Sequence, residues 1–381
     1  MADFNFIDMT SGHTKIAKLP TSGPVKLGIV GAGKRVKDFI LPLARKSENF
    51  EVVGFFSRSK ETRDNFSKDQ GLNAYEDLES LADKCDAFVV CVNLQAAESV
   101  NRAVAEFGKP MLVETPVADI ELVKECLSRN QIIGSLEQWP YLPLEQFKKK
   151  YVQENIKSNP YLVVNDCRSF DYHAIAQIRT YLGRDQRPLH AKSATLSVSN
   201  PESQESLFIN NSGDEAKFVD SWDLGIVNFE RGILQHNFSY MCKSAPYRSL
   251  QTLRSYFGNG TIITGKIKSF GSDYDILEFS YLDGKKTVNS VIKVVREDEV
   301  THTIEDEMSQ AKWENPYAGL GLDDQQTGVM TVLDGFADKI LNNSDENFYC
   351  AKDALVDFWI INVIKAGGKV SQAIPFGNLG I

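Results

Sequence analysis

Residues 27–36 read LGIVGAGKRV, and the expected fold is built outward from them. The apolar run Leu27–Val30 has the length of a buried strand, and Gly31 and Gly33 follow it directly. In the pattern G-x-G-x-x-G, the first glycine allows a tight turn and the second lets a pyrophosphate approach the backbone. Val36 stands where the third glycine would be, and an ordinary strand-to-helix turn also uses glycine. We favour dinucleotide binding because the turn follows a strand and opens a helix.

Strand-like and helix-like segments alternate through the first 140 residues. Further short apolar runs predict buried strands at Val52–Phe56, Leu72–Tyr75, Ala87–Val92, Met111–Val113 and Ile132–Leu136. Amphipathic segments between them predict helices at Val36–Arg45, Glu61–Asp69, Leu78–Lys84, Ala96–Phe107 and Ile120–Ser128. Because a strand–helix–strand series crosses over with one hand, this order predicts an α/β domain with a doubly wound parallel sheet.

The end of the second predicted strand bears on the choice of nucleotide. A carboxylate there would bind the 2′-hydroxyl of NAD, but this chain has Ser57, Arg58 and Ser59. Hydrogen-bond donors and a guanidinium suit a 2′-phosphate, so NADP(H) is predicted, with a solvated basic turn as the alternative. Asn93 follows the fourth strand, at the edge of the sheet where such domains bind their ligand.

Length and composition limit the classes of protein. A chain of 381 residues exceeds one typical core, so we predict an N-terminal arm (1–24), a nucleotide-binding domain (25–140) and a substrate and oligomerisation domain (141–381). The net charge of −9 argues against nucleic-acid or anionic-membrane binding. Apolar runs are too short for a membrane span or a signal peptide, so a cytoplasmic protein with six reduced cysteines is expected. No cluster of histidines and cysteines predicts a metal site.

Several segments together resemble the Gfo/Idh/MocA oxidoreductases: Gly31-Ala32-Gly33, Ser57-Arg58, Asn93 and the run GKPMLVETP at 108–116. The resemblance implies a Rossmann domain followed by an α+β domain on a large, mostly antiparallel open sheet, and a homodimer or homotetramer. Strand-like runs at Thr261–Ile267, Ile276–Tyr281 and Val288–Val295 agree with it. The residues that we expect at the cofactor are Gly31, Ala32, Gly33, Lys34, Arg35, Ser57, Arg58, Ser59, Asn93, Glu114 and Thr115.

Two departures from the family pattern affect the expected chemistry. Where the family has Glu-Lys-Pro, this chain has Glu114-Thr115-Pro116, and a threonine hydroxyl carries no positive charge. The family signature Asp-x-Gly-x-His is matched to residues 223–227, which would put Val227 in place of the catalytic histidine. A reaction through the usual lysine and histidine is therefore not expected.

Other residues are predicted to replace that pair. Tyr172 and His173 follow a predicted strand and are candidate proton donors, while Arg179 is a candidate anchor for a substrate carboxylate. Glu137 and Trp139, after the sixth strand, are candidate substrate contacts. Each has a structural alternative, namely packing, a hinge or a surface ion pair.

Asp223 is a further candidate substrate contact, with a helix-starting carboxylate as its alternative. The sequence thus predicts an NADP(H)-dependent oxidoreductase that reduces a carbonyl, imine or conjugated small molecule with an unusual proton donor. A non-catalytic nucleotide-binding regulator is the alternative, and a biliverdin-reductase-like enzyme is a minor one.

Overall fold

The computed structural model describes residues 19–20, 22–199, 219–239, 250–269 and 272–367. Most of the predicted arm, residues 1–24, lies outside these ranges. None of the helices in the described ranges has both the length and the apolar character that crossing a membrane requires. The five cysteines within these ranges are free thiols, and Cys242 lies outside them.

Six parallel strands form the first sheet. They are β1 (Val25–Val30), β2 (Phe50–Phe56), β3 (Ala74–Tyr75), β4 (Ala87–Val90), β5 (Met111–Val113) and β6 (Ile133–Ser135). Their order is β3-β2-β1-β4-β5-β6, so the chain runs outward in one direction from β1 and then in the other direction from β4. The predicted doubly wound parallel sheet is confirmed, and its switch point lies between β1 and β4, where such sheets bind ligands.

The crossover helices are α1 (Leu41–Lys46), α2 (Lys60–Gln70), α3 (Leu78–Ala82), α4 (Leu94–Ala105) and α5 (Ile120–Ser128). The segment predicted as one α-helix, Val36–Arg45, is not α-helical throughout. It begins with a π-helical turn, Val36–Ile40, in which the N–H of Leu41 bonds to the carbonyl of Val36. Pro42 has no N–H to bond to Asp38, which gives a physical reason for the wider turn.

Eight strands form the second sheet, and two helices, α6 (Pro143–Tyr151) and α7 (Asp171–Leu182), belong to the same part of the chain. The strands are β7 (Leu162–Asp166), β8 (Pro188–Ser199), β9 (Val219–Phe229), β10 (Gly232–Ser239), β11 (Leu250–Phe257), β12 (Gly260–Ser269), β13 (Ser272–Asp283) and β14 (Lys286–Asn289). Their order is β14-β13-β12-β11-β7-β10-β9-β8, and only β7 and β10 pair in parallel. This confirms the predicted large, mostly antiparallel sheet.

The strand predicted at Val288–Val295 is wrong as a single element. The chain leaves β14 at Asn289 and enters β15 (Ile292–Glu297), which pairs with β16 (Val300–Asp306) in a separate sheet completed by β17 (Lys312–Glu314). The carboxylate of Asp306 accepts hydrogen bonds from the Val291 N–H (3.0 Å) and the Ser290 hydroxyl (2.9 Å). These bonds satisfy the polar groups at the break and hold the turn between the two sheets.

Two helices in the tail join the domains: α8 (Asp324–Asn342) and α9 (Ala351–Lys365). Leu333 and Phe336 of α8 lie in the core of the first domain, although their positions fall in the range predicted for the second. In contrast, Ile361 of α9 packs with α7 against the second sheet. The two tail helices therefore pack on different domains, α8 on the first and α9 on the second sheet. There α9 contacts α7, the helix that carries Tyr172 and His173.

Candidate active site

The glycine turn after β1 has the shape that a pyrophosphate requires. Gly31 has φ +122°, and a Cβ there would lie 2.0 Å from the carbonyl oxygen of Cys91. Gly33, in contrast, has no atom within 4 Å of the position its Cβ would take. The first glycine is thus required by packing between β1 and β4, and the second leaves the backbone open to a ligand. Both agree with a nucleotide site at this edge.

The turn after β2, residues 57–59, carries Arg58 and no carboxylate, and Arg63 reaches back to it from α2. Arg58 is exposed, and the guanidinium of Arg63 donates to the carbonyl oxygens of Ser57 (2.6 Å) and Arg58 (3.1 Å). Ser59 accepts from the N–H of Thr62 (3.2 Å) and so caps α2. Arg63 was not predicted from the sequence. Its position, one turn into the helix that follows Ser-Arg-Ser, could have indicated that its side chain reaches this turn.

Arg35 spans the carboxyl ends of three strands. Its Nε lies 3.3 Å from Glu114 Oε2, and its second nitrogen donates to Gln138 Oε1 at 3.2 Å. Cys91 donates its thiol hydrogen to the same Glu114 oxygen at 3.4 Å, and burial raises the pKa of this thiol well above its usual value. Arg35 and Glu114 therefore form one polar cluster, and Gln138, which sequence reasoning missed, belongs to it. Lys34 and Ala32 lie beside the cluster on the glycine turn.

Thr115 connects the two domains at the end of β5. Its hydroxyl oxygen lies 3.4 Å from the hydroxyl of Tyr172 on α7, in hydrogen-bonding orientation. Thr115 also lines a small open pocket of about 40 Å³ together with Val90, Val92, Leu94, Ala97, Asn101, Glu114 and Pro116. Burial raises the pKa of Tyr172 to about 12, so its hydroxyl stays protonated. The nearby Asn93 caps α4 by accepting from the Ala96 N–H at 3.0 Å.

Glu137 and His173 form a buried pair beside that contact. The imidazole Nδ1 lies 2.7 Å and 3.0 Å from the two carboxylate oxygens of Glu137, which also accepts from the Trp139 N–H at 3.2 Å. Since a carboxylate only accepts, Nδ1 carries a hydrogen and Nε2 is left for other partners. The rings of Trp139, Phe170 and Tyr172 lie within 5.5 Å of the imidazole, measured between centroids, and surround it with apolar surface.

The prediction that Arg179 anchors a substrate is wrong. The guanidinium is buried, pairs with Asp357 at 2.7 Å and Asp353 at 3.3 Å, and donates to the carbonyl oxygen of Arg184 at 2.8 Å. Arg179 faces the acidic side of α9, two turns along α7 from His173. Both terminal nitrogens of the guanidinium therefore bond within the protein.

Residues 223–227 do not fit the signature matched to them. They lie inside β9, so the helix-starting role for Asp223 is also wrong. Val227 is fully buried in the core between the sheet, α7 and α9 and does not face the site. Asp223 accepts from the Thr195 hydroxyl at 3.2 Å, and burial raises the pKa of its carboxyl. The histidine that reaches the carboxyl edge of the first sheet is His173.

The site combines a nucleotide-binding edge with an acid–base pair, and the described part of the chain contains no group of three or more His, Cys, Asp or Glu side chains that could hold a metal ion. Residues 25–133 match a family model described as the GFO_IDH_MocA oxidoreductase family with an NAD-binding Rossmann fold. No curated protein sequence matches the chain.

Solved structures share the whole two-domain fold. A putative NADPH-dependent oxidoreductase from Desulfitobacterium hafniense is 12% identical, with a TM-score of 0.61 over 91% of this chain and 96% of that one. An Agrobacterium radiobacter oxidoreductase in complex with NAD⁺, L-tartaric acid and magnesium is 12% identical, with a TM-score of 0.61 over 92% and 98%. The transcriptional regulator Gal80p from Kluyveromyces lactis is 14% identical, with a TM-score of 0.63 over 92% and 93%.

At these identities the structural likeness establishes the fold alone, and the family model matches only the first domain. The match to the family model spans residues 25–133, so the first domain is similar to the NAD-binding Rossmann domain of the Gfo/Idh/MocA oxidoreductases.

Proposed function

We propose that the protein is an NADP(H)-dependent oxidoreductase that reduces a carbonyl, imine or conjugated small molecule, with His173 as the proton donor. The observation that carries the proposal is the buried Glu137–His173 pair, next to the Thr115–Tyr172 contact at the end of β5. A general acid must lie where the acceptor meets the cofactor, and the carboxyl edge of the first sheet is that place.

The residues of the first domain fit a dinucleotide. The open backbone at Gly33 would receive the pyrophosphate, and Arg58 and Arg63 would hold a 2′-phosphate. A bound nicotinamide would supply the hydride. Ser57 and Ser59 add hydroxyl donors to this turn. The preference for NADP(H) over NAD(H) rests on Arg58 and Arg63 at this turn and on the lack of a carboxylate at residues 57–59.

His173 of the second domain provides the proton, and Glu137, which follows β6 of the first domain, orients it. Glu137 holds the Nδ1 hydrogen of His173, which directs Nε2 toward the acceptor and stabilises the charged imidazolium. Imidazole exchanges protons near neutral pH, whereas burial keeps the Tyr172 hydroxyl protonated. We therefore assign proton transfer to His173 and orientation of the acceptor, by a donated hydrogen bond, to Tyr172. Trp139 and Phe170 limit the access of water to the pair.

Nucleotide choice is tested by titrating the purified protein, freed of carried-over nucleotide, with NADPH and NADH while following nicotinamide fluorescence. Arg58→Ala should weaken NADPH binding about 10- to 150-fold, because a charge-assisted bond contributes roughly 1.5–3 kcal/mol, and should leave NADH binding unchanged. Lys68→Ala is the matched control, since Lys68 is an exposed cation further along α2. Equal binding of both nucleotides, or no effect of Arg58→Ala, would contradict the NADP(H) assignment.

Catalysis is tested by screening carbonyl and imine compounds for NADPH oxidation. His173→Gln and Glu137→Gln should lower turnover about a hundredfold while NADPH affinity stays unchanged. Tyr172→Phe should mainly raise KM, because it removes an orienting hydrogen bond. A wild-type protein that binds NADPH but turns over nothing would favour the second candidate function, a nucleotide-binding regulator. Thr115 favours that candidate, since it stands where the family has lysine.

We also propose that the protein forms a homodimer or homotetramer through the outer face of the second sheet. Ile226, Ile233, Ile267 and Tyr274 are exposed large apolar side chains on this sheet. On β9 the neighbouring Val227 points the other way and is fully buried under α7 and α9. A second copy of the chain would cover this apolar face.

A further inference from the structure

The start of α7 has an unusual backbone. Asp171, its first residue, has φ +49°, a left-handed conformation that a side chain with a Cβ rarely adopts. Cys167, in the connection from β7, also has a positive φ of +51°. Tyr172 and His173 follow Asp171 directly, so their direction depends on how this turn is held.

One half of the turn is held by Asn165 at the end of β7. Its side-chain oxygen accepts from the Ser169 N–H at 3.0 Å, and its amide nitrogen donates to the Ser169 carbonyl at 2.9 Å. Asn165 and Ser169 are both buried, so these hydrogen bonds stabilise the connection between β7 and α7. These two hydrogen bonds are both made to Ser169, and neither involves Asp171, the first residue of α7.

The other half is held from the far end of the chain. The Lys365 ammonium forms an ion pair with the carboxylate of Asp171. Lys365 is the last residue of α9, and Asp171 is the first residue of α7. A cation at a helix C-terminus and an anion at a helix N-terminus are each favoured by the helix dipoles, so the two helices support the pair from both sides.

A second ion-pair group joins the same helices at their other ends. Arg179, near the end of α7, pairs with Asp353 and Asp357 in the first half of α9. The two helices therefore run antiparallel, with ion pairs at each end and apolar residues packed between them. The buried Arg179 pairs hold one end of α7, and the Lys365–Asp171 pair joins α9 to the other end.

We infer that Lys365 is a positioning residue for the candidate catalytic dipeptide Tyr172–His173. By holding the Asp171 carboxylate, Lys365 keeps the left-handed turn in place, and the turn keeps His173 bonded to Glu137. The inference rests on the proposed function only in calling the dipeptide catalytic, since the geometry itself is independent of any substrate. The last helix of the described residues, α9, thus contributes to the site without touching the acceptor.

The Glu137–His173 bond provides a direct readout. An imidazole Nδ1 hydrogen that bonds to a buried carboxylate gives a proton NMR signal far downfield. This signal is recorded on the protein without nucleotide or substrate. His173→Gln and Glu137→Gln should each abolish this signal and so assign it. Lys365→Met should shift or broaden it, whereas Lys365→Arg, which keeps the charge, should retain it. Lys352→Met is the matched control, because it removes a lysine from the first turn of the same helix.

Each outcome decides the inference. An unchanged signal in folded Lys365→Met, or a signal that Lys365→Arg fails to keep, would overturn it. If Lys365→Met does not fold, Asp171→Asn takes its place, because asparagine tolerates the left-handed conformation and lacks the charge. Failure of the proposed function can be distinguished from failure of this inference. A protein that turns over no acceptor can still show an NMR signal that depends on Lys365.

Discussion

Gly31 provides the sharpest quantitative test of the nucleotide-binding turn. In Gly31→Ala the new methyl group would lie 2.0 Å from the carbonyl oxygen and 2.9 Å from the carbonyl carbon of Cys91. The N–H of Cys91 donates to Val30 at 2.8 Å, so relieving the overlap must separate β1 from β4 where they are bonded. Overpacking costs about 1–3 kcal/mol and the unfavourable backbone conformation another 1–3 kcal/mol, roughly 2–6 kcal/mol in all.

Urea unfolding, followed by circular dichroism, measures this loss directly. Gly33→Ala is the matched control, since its methyl group would meet no atom within 4 Å. We expect it to change the free energy of unfolding by less than about 1 kcal/mol. It should nevertheless weaken NADPH binding, because the methyl group stands where the pyrophosphate approaches the backbone. Equal unfolding midpoints for Gly31→Ala and Gly33→Ala would refute the packing described for β1 and β4.

Three further predictions concern burial and assembly. His236 is buried, which lowers its pKa from 6.5 to about 4, so the unfolded chain binds more protons between those values. Stability should fall as pH falls through this window, and His236→Gln should abolish about 3 kcal/mol of that dependence in urea unfolding. Arg179→Met should destabilise the protein by about 3–5 kcal/mol, because it leaves Asp357 buried and uncompensated, with NADPH affinity unchanged if Arg179 is structural. Ile226→Asp should convert the proposed oligomer to monomer in light scattering, whereas Leu127→Asp, at an exposed residue of the first domain, should not.

Much of the site could be placed from the sequence because its elements are local. Gly31 and Gly33 follow a strand directly, and the structure places them at the carboxyl edge of the sheet as expected. Tyr172 and His173 were predicted to follow a strand, and α7 brings them to Thr115 and Glu137. Parallel strands end at one edge, so residues after different strands meet there.

Two predicted roles failed because long-range contacts decided them. Arg179 looked available until α9, more than 170 residues later, placed Asp353 and Asp357 against it. Asp223 was expected to contact substrate or to start a helix, and Val227 to stand at the position of the family's histidine, but β9 pairs with both β8 and β10 and places the two residues inside the sheet. Neither local periodicity nor spacing shows which distant segment will bury a side chain.

The amino-acid sequence by itself determined the alternating strands and helices of the first domain, the nucleotide-binding turn and the basic residues after β2. These features depend on side-chain periodicity and on backbone conformations available to glycine, which are properties of neighbouring residues. Only the tertiary structure decided that Glu137 pairs with His173 and that Lys365 holds the turn before it. Such pairs form between segments far apart in the chain, and burial then fixes which hydrogen bonds and charges are satisfied.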